Sequence, residues 1–329
     1  MVDTISAPRQ GRELIGATRP FASEVMWLSW YHTLTTFCIW LAALFAAAMA
    51  PFWWLRLILS VAAGFITVRG FILYHDYLHG AILRNSKLAK ALFYTFGVYV
   101  LTAPRVWRQT HNYHHAHTAK LVGSHVGSYM MVTTQMWTEM GLKQRLMYRI
   151  IRHPMTIALG YLTLFVFGMC LSPFIRNPKR HWDSMVVLFL HLLVSALIWF
   201  GFGFSFYFFG FLLPIWVGCA VGGYLFYAQH NFPDLEVQPR EDWSYTYAAL
   251  HSSSYMKTGP VLAWLTGNIG YHHVHHLNPS VPFYRLPEAM ASIPELQDPP
   301  ITRLTATDIW RCFQLKLWDP QESKMVGYP

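Results

Sequence analysis

The chain has 329 residues, of which 54% are hydrophobic, 17% aromatic and only 12% charged, with a mean hydropathy of +0.27. A soluble domain carries about 25% charged residues, so a wholly water-exposed globule is excluded and most of the surface is expected to face lipid. The net charge of +9 raises nucleic acid as a partner, but the basic residues sit in loops beside apolar runs, where cytoplasmic Lys and Arg accumulate; the reading is membrane topology, with no nucleic acid.

Residues 1–22 hold Arg9, Arg12 and Arg19 and have neither an apolar core nor a small-residue cleavage site, which reads as a polar tail and not as a removable signal peptide. Apolar runs follow at 27–50, 52–71, 155–174, 185–208 and 211–228, each near the roughly 20 residues that a membrane-spanning helix needs. The shorter run at 91–103 falls short of a hydrocarbon core about 30 Å thick, so it is expected to dip into the membrane surface or bury against protein. From His230 onward the chain turns polar and proline-rich, which reads as a cytosolic cap. The four cysteines are dispersed and imply no disulfide framework.

Nine histidines fall in three clusters: HDYLH from His75 to His79, HNYHH from His111 to His115, and HHVHH from His272 to His276. Helical residues three and four apart share a face. His75 and His79 therefore point one way, as do His111, His114 and His115, and as do His272, His275 and His276; His273 is the odd one out. Two, three and three imidazoles exceed what one ion takes and suffice for a pair. With imidazole dominant, the candidate metals are iron, zinc, copper and nickel; the lack of Cys pairs argues against a closed structural zinc site, and iron with open positions is the useful choice. Isolated histidines such as His32 and His191 read as structural.

Three clusters can build one site only from one side of the bilayer, and five crossings would separate them. The loop from Arg176 to Asp183 contains Arg176, Lys179 and Arg180, and positive charge prefers the cytoplasm. The run at 155–174 is therefore expected to re-enter or lie along the interface, leaving two hairpins that turn externally near Pro51 and Gly210. The fold expected is an all-α integral membrane protein of one domain over 1–329: tail 1–22, first hairpin 27–73, interfacial region 74–183 with the first two clusters, second hairpin 184–229, and histidine-rich cap 230–329.

Two alternatives are weaker. A zinc protease wants H-E-x-x-H, but Asp76 stands where that motif has glutamate. A metal transporter would put its ligands in mid-helix, whereas these clusters flank the spans.

The three clusters resemble the histidine boxes of the membrane fatty acid desaturase superfamily, H-x(3 or 4)-H, H-x(2 or 3)-H-H and H-or-Q-x-x-H-H. The similarity extends from about Tyr74 to Pro287 and includes WRQTHNYHHAHT, QHNFPD and GNIGYHHVHHLNPSVPFYRLPE, the last resembling the omega-6, or delta-12, acyl-lipid branch. The resemblance implies two non-haem irons that use O2 to desaturate an acyl chain of a membrane lipid. It implies as ligands His75, His79, His111, His114, His115, His272, His275 and His276, with His230, just after the last span, as a ninth. Asp76 and Asn268 are candidates to orient ligand imidazoles, local capping being the alternative. His117, His125 and His251 are outside the register and are read as hydrogen-bonding or surface residues. A sister hydroxylase or ketolase acting on a carotenoid or other lipid is the alternative outcome.

The sequence has no dinucleotide fingerprint, no haem attachment motif and no iron-sulfur cysteine run. The reaction's electrons must then come from a separate protein, a ferredoxin or small cytochrome. Arg145, Arg149, Lys179 and Arg180 are candidates to attract it, or equally to hold lipid headgroups.

Overall fold

The computed structural model describes residues 8–121 and 126–329. Four helices are long and apolar enough to cross a membrane: α1, Met26–Met49; α2, Trp53–His79; and, later in the chain, Trp182–Phe202 and Phe204–Ala228. At about 1.5 Å per residue the shortest of them spans roughly 30 Å. They form two hairpins and leave large apolar side chains such as Trp27, Trp53 and Phe200 exposed, as lipid-facing surface requires. This is the all-α membrane architecture expected.

Between the hairpins lie α3, Lys87–Tyr99; α4, Pro104–Ala116; α5, Leu142–Ile151; and α6, Tyr161–Arg176. The Ser86 hydroxyl caps α3 by accepting from the Ala89 N–H at 3.1 Å. Of the two fates expected for this short apolar run, burial against protein is observed. Phe93, Phe96 and Tyr99 are buried, and Phe96 meets Phe37 and Trp40 of α1 edge-on at 5.2 and 5.3 Å.

The apolar run at 155–174 is broken into Pro154–Ala158 and α6, which is wound in wider π-type turns over Tyr161–Leu171. Neither piece matches the length of the four spans.

With the last two spans labelled α7 (Trp182–Phe202) and α8 (Phe204–Ala228), their turn is at Gly203, where φ is +86°, and not at Gly210 as expected. Three glycines punctuate this aromatic run, and composition does not reveal which takes the left-handed backbone. Gly210 lies inside α8, where a Cβ would stand 2.7 Å from the Ala48 Cβ of α1. The α2–α8 crossing is equally close: a Cβ on Gly64 would meet Val217 at 2.6 Å, and one on Gly218 would meet Thr67 at 3.0 Å. Small residues at such crossings let apolar helices approach through packing alone.

The described part of the polar tail is docked onto the cap. Arg9 pairs with Glu295 at 2.7 Å, the Asn278 amide donates to the Thr18 hydroxyl at 2.8 Å, and Leu14 is buried. The cap itself is made of short helices, among them α9, Tyr245–His251; α10, Pro260–Leu265; and α11, His272–Leu277. Two small ladders join them, Tyr255–Met256 beside Ile301–Thr302 and Leu317–Asp319 beside Lys324–Val326. Arg152 is buried, holding the Asn231 amide oxygen and the Met130 carbonyl; it is not available to a lipid surface.

Candidate metal centre

Each cluster sits where a helix meets the cap. His75 and His79 close the last turn of α2, which runs eight residues past the apolar run and ends at Gly80, with φ +77°. His111, His114 and His115 lie in the last two turns of α4, whose start is set by Pro104. His230 follows α8 in a turn, and α11 carries the third cluster.

The imidazole nitrogens converge in two groups. The first holds His75, His79, His111, His115 and His275; the second holds His114, His230, His272 and His276; within each, the ligand atoms all lie within 4.8 Å of one another. Helical rotation explains the sorting. Residues four apart, His75 with His79, His111 with His115, and His272 with His276, go to the same group. Neighbours about 100° apart, His114 with His115 and His275 with His276, go to different ones. Boxes two and three thus each serve both groups, so all three clusters must share one side of the bilayer, and the four spans satisfy that parity.

In the first group the His111 Nε2 is 3.0 Å from the Nε2 of both His75 and His115, and His115 is 3.1 Å from His275. In the second, the His230 Nε2 is 3.0 Å from His114 and 2.9 Å from His272, which is 3.1 Å from His276. A ring nitrogen has either one N–H or one lone pair, so His111 and His230 can each satisfy one neighbour by hydrogen bonding and not two. A cation at the focus accepts lone pairs from all of them. The Nε2 of His79, buried and without a hydrogen-bond partner among the described residues, fits the same reading. The donor set, imidazole only, suits iron as it suits zinc, copper or nickel.

Ligation through Nε2 requires the proton on Nδ1, and three rings have acceptors that fix it there. The Nδ1 of His75 faces the Asp76 Oδ1 at 3.0 Å, that of His230 the Ser252 carbonyl at 3.1 Å, and that of His276 the Thr118 hydroxyl oxygen at 3.3 Å. The Thr118 hydroxyl donates to the His114 carbonyl, so its lone pairs are free to accept. Trp107 stacks on His111 at 4.3 Å and meets His75 and His79 edge-on, while Phe226 lies 4.9 Å from His114. These apolar walls keep water from the rings. Burial, reinforced by neighbouring imidazoles, holds His111, His114, His115, His272 and His276 well below the ordinary histidine range, and burial holds His230 at about 4. They are neutral at pH 7, the form that binds metal.

Asp76 and Asn268 meet at one residue. The second Asp76 oxygen accepts the Phe283 N–H at 2.7 Å, and the Asn268 amide donates to the Phe283 carbonyl at 3.2 Å. Only Asp76 touches a grouped imidazole; Asn268, with φ +55°, shapes the turn before α11. Asp76→Asn is expected to weaken metal retention and any metal-dependent activity 10- to 100-fold, the usual effect of losing a carboxylate behind a ligand, measured as metal per chain after dialysis against chelator.

Several other histidines have partners outside the two groups. His273 is buried with its Nε2 on the Leu296 carbonyl at 3.1 Å. His117 stacks on Tyr113, His251 lies 3.8 Å from Glu236, His191 binds the Tyr161 hydroxyl, and His32 faces Arg69; His125 lies outside the described residues. Thr118, Ser252, Trp107 and Phe226 were not anticipated. For Thr118 a signal existed, its place three residues after His115; the other three offered none.

A family model described as "Fatty acid desaturase" matches residues 51–304. The chain is also similar to a protein described as "Fatty acid desaturase" from Bacillus subtilis (strain 168), with 32% identity over 273 residues, covering 82% of this chain and 76% of that one.

Proposed function

This chain belongs to the fatty acid desaturase family, and from that premise we propose that it is an O2-dependent di-iron enzyme placing a cis double bond, of delta-12 or omega-6 type, in an acyl chain of a membrane lipid. The observation that carries this is the sorting of nine imidazole nitrogens into one group of five and one of four, each suited to one iron. When bound, the iron pair supplies the oxidation: O2, two electrons and two protons take two hydrogens from neighbouring methylenes and leave as two waters.

The chain's own work is to hold and orient. Asp76, Ser252 and Thr118 fix three rings in the tautomer that presents Nε2. Trp107 and Phe226 shield the site from water. The spans hold an apolar substrate within the bilayer, and the basic residues near Arg149 and Arg180 support a cytoplasmic side for the histidines, since positive charge prefers that side. A separate ferredoxin or small cytochrome supplies the electrons; Lys179 and Arg180 are exposed and have no ion pair among the described residues, which favours an acidic partner there.

Expression in a host that makes only saturated and monounsaturated acyl lipids, beside a His275→Ala control, tests the reading. A new diene absent from the control, with its double bond mapped by gas chromatography, is the expected result. A hydroxylated or ketonic lipid in its place would overturn it. Labelling of the loop at residues 176–183 from outside intact cells would overturn the proposed orientation.

A further inference from the structure

His79 is the one member of the five-histidine group that is not fully buried, and a cleft of about 610 Å³ opens onto it. The rim of this cleft includes Met26, the first residue of α1, so it stands where the first span leaves the membrane. Its remaining wall is mixed, with Glu24, Arg84, Asn85, Ser86 and Ser280 beside the small residues Ala22, Gly80 and Ala81. The volume lies within the range of sites for small organic ligands, about 300–1,000 Å³, and far exceeds what a hydrated ion or O2 needs.

The two charges of the wall are differently engaged. One Glu24 oxygen, Oε1, accepts the Leu83 N–H at 2.7 Å and so holds the carboxylate in place beneath Leu83, whose φ is +48°. Arg84, the next residue, is exposed and makes no ion pair among the described residues. A fixed anion and an unpaired cation thus face one cleft at the edge of the bilayer.

Building on the desaturase reading, we infer that this cleft seats the headgroup of a zwitterionic glycerophospholipid, its phosphate on Arg84 and its amine on Glu24. Arg84 offers a guanidinium fork that matches phosphate oxygens, and the second Glu24 oxygen remains to accept from an ammonium. A lipid reaches the cleft without leaving the bilayer, because the rim begins at the first residue of α1. The anchor also dictates how the enzyme counts. A chain held by its polar end presents carbons to the irons at a set distance from the carboxyl carbon, so the double bond is placed from that end and not from the methyl end.

The test uses the iron-loaded full chain in nanodiscs with a competent electron donor. Phosphatidylethanolamine and phosphatidylglycerol with the same monoenoic acyl chains serve as substrates, and native mass spectrometry of retained lipid on metal-free protein serves as a second readout. The wild type is expected to prefer phosphatidylethanolamine in both measurements. Glu24→Gln keeps the acceptor for Leu83 and should reduce that preference about tenfold, while Arg84→Gln should raise KM for both lipids about tenfold, as loss of one charge-assisted contact does. Sixteen- and eighteen-carbon chains should receive the double bond at the same number of carbons from the carboxyl end.

Variants with unchanged KM, unchanged preference and unchanged lipid retention would overturn the inference, as would turnover of acyl thioesters alone or a bond position constant from the methyl end. Were the wild type to desaturate neither lipid, the functional reading would fall, and the retention measurement would still judge the cleft by itself.

Discussion

His272→Ala and His273→Ala, one residue apart, are expected to give opposite phenotypes. His272 belongs to the four-histidine group, with its Nε2 2.9 Å from that of His230 and 3.1 Å from that of His276. On the di-iron reading proposed above, its loss should leave about one iron per chain in place of two and lower desaturation by more than a hundredfold, because even the outer partner of a ligand is worth 10- to 100-fold. His273 points away, its Nε2 on the Leu296 carbonyl in a fully buried setting. Removing it opens a cavity and strands that carbonyl, at about 1–3 kcal/mol of stability, with both irons retained. Iron per chain by plasma mass spectrometry, product by gas chromatography and thermal unfolding in detergent separate the two. Equal iron loss in both variants would contradict the assignment of the third box.

Gly64→Leu should be as damaging without touching a histidine. A Cβ at position 64 would stand 2.6 Å from two atoms of the Val217 side chain and 3.0 Å from the Pro214 carbonyl oxygen, so α2 and α8 must separate. Overpacking of this kind costs about 1–3 kcal/mol or more. The consequence reaches the site, because α2 ends in His75 and His79 and α8 leads into His230, which belong to different groups. Sliding one helix against the other moves one group relative to the other, and the yield of folded, two-iron protein should drop severely. Gly222→Ala, on the partner helix α8, is the control: nothing lies within 4 Å of a Cβ there, and size-exclusion profile and iron content should match the wild type. A well-behaved Gly64→Leu protein with full iron would show that the crossing tolerates displacement.

Much of this protein was legible in one dimension. Low charge and long apolar runs specify spans, because each backbone polar group in lipid must be satisfied within its own helix. The i, i+3, i+4 spacing of histidines specifies common faces, because helical rotation is local, and it marks His273 as the exception. Parity and the basic loop identified the run at 155–174 as the one that differs from the other four.

Other features depend on what stands opposite. Register states that His111, His114 and His115 share a side of α4, but not that His114 joins His230 and His272 while its neighbours join His75 and His275; that sorting needs α2, α4 and α11 in place. His230 has no partner in register, and resemblance alone suggested it before the turn after α8 brought it to His272. The hairpin turn went to Gly203 and not Gly210 because Ala48 occupies the space beside Gly210, a contact 162 positions away in the chain. The polar tail became part of the cap through Leu14, Thr18 and the Arg9–Glu295 pair. Periodicity and composition are properties of neighbours along the chain, so the sequence determined the elements and the faces they present; contacts between distant segments are set by packing, so the tertiary structure alone decided which faces meet.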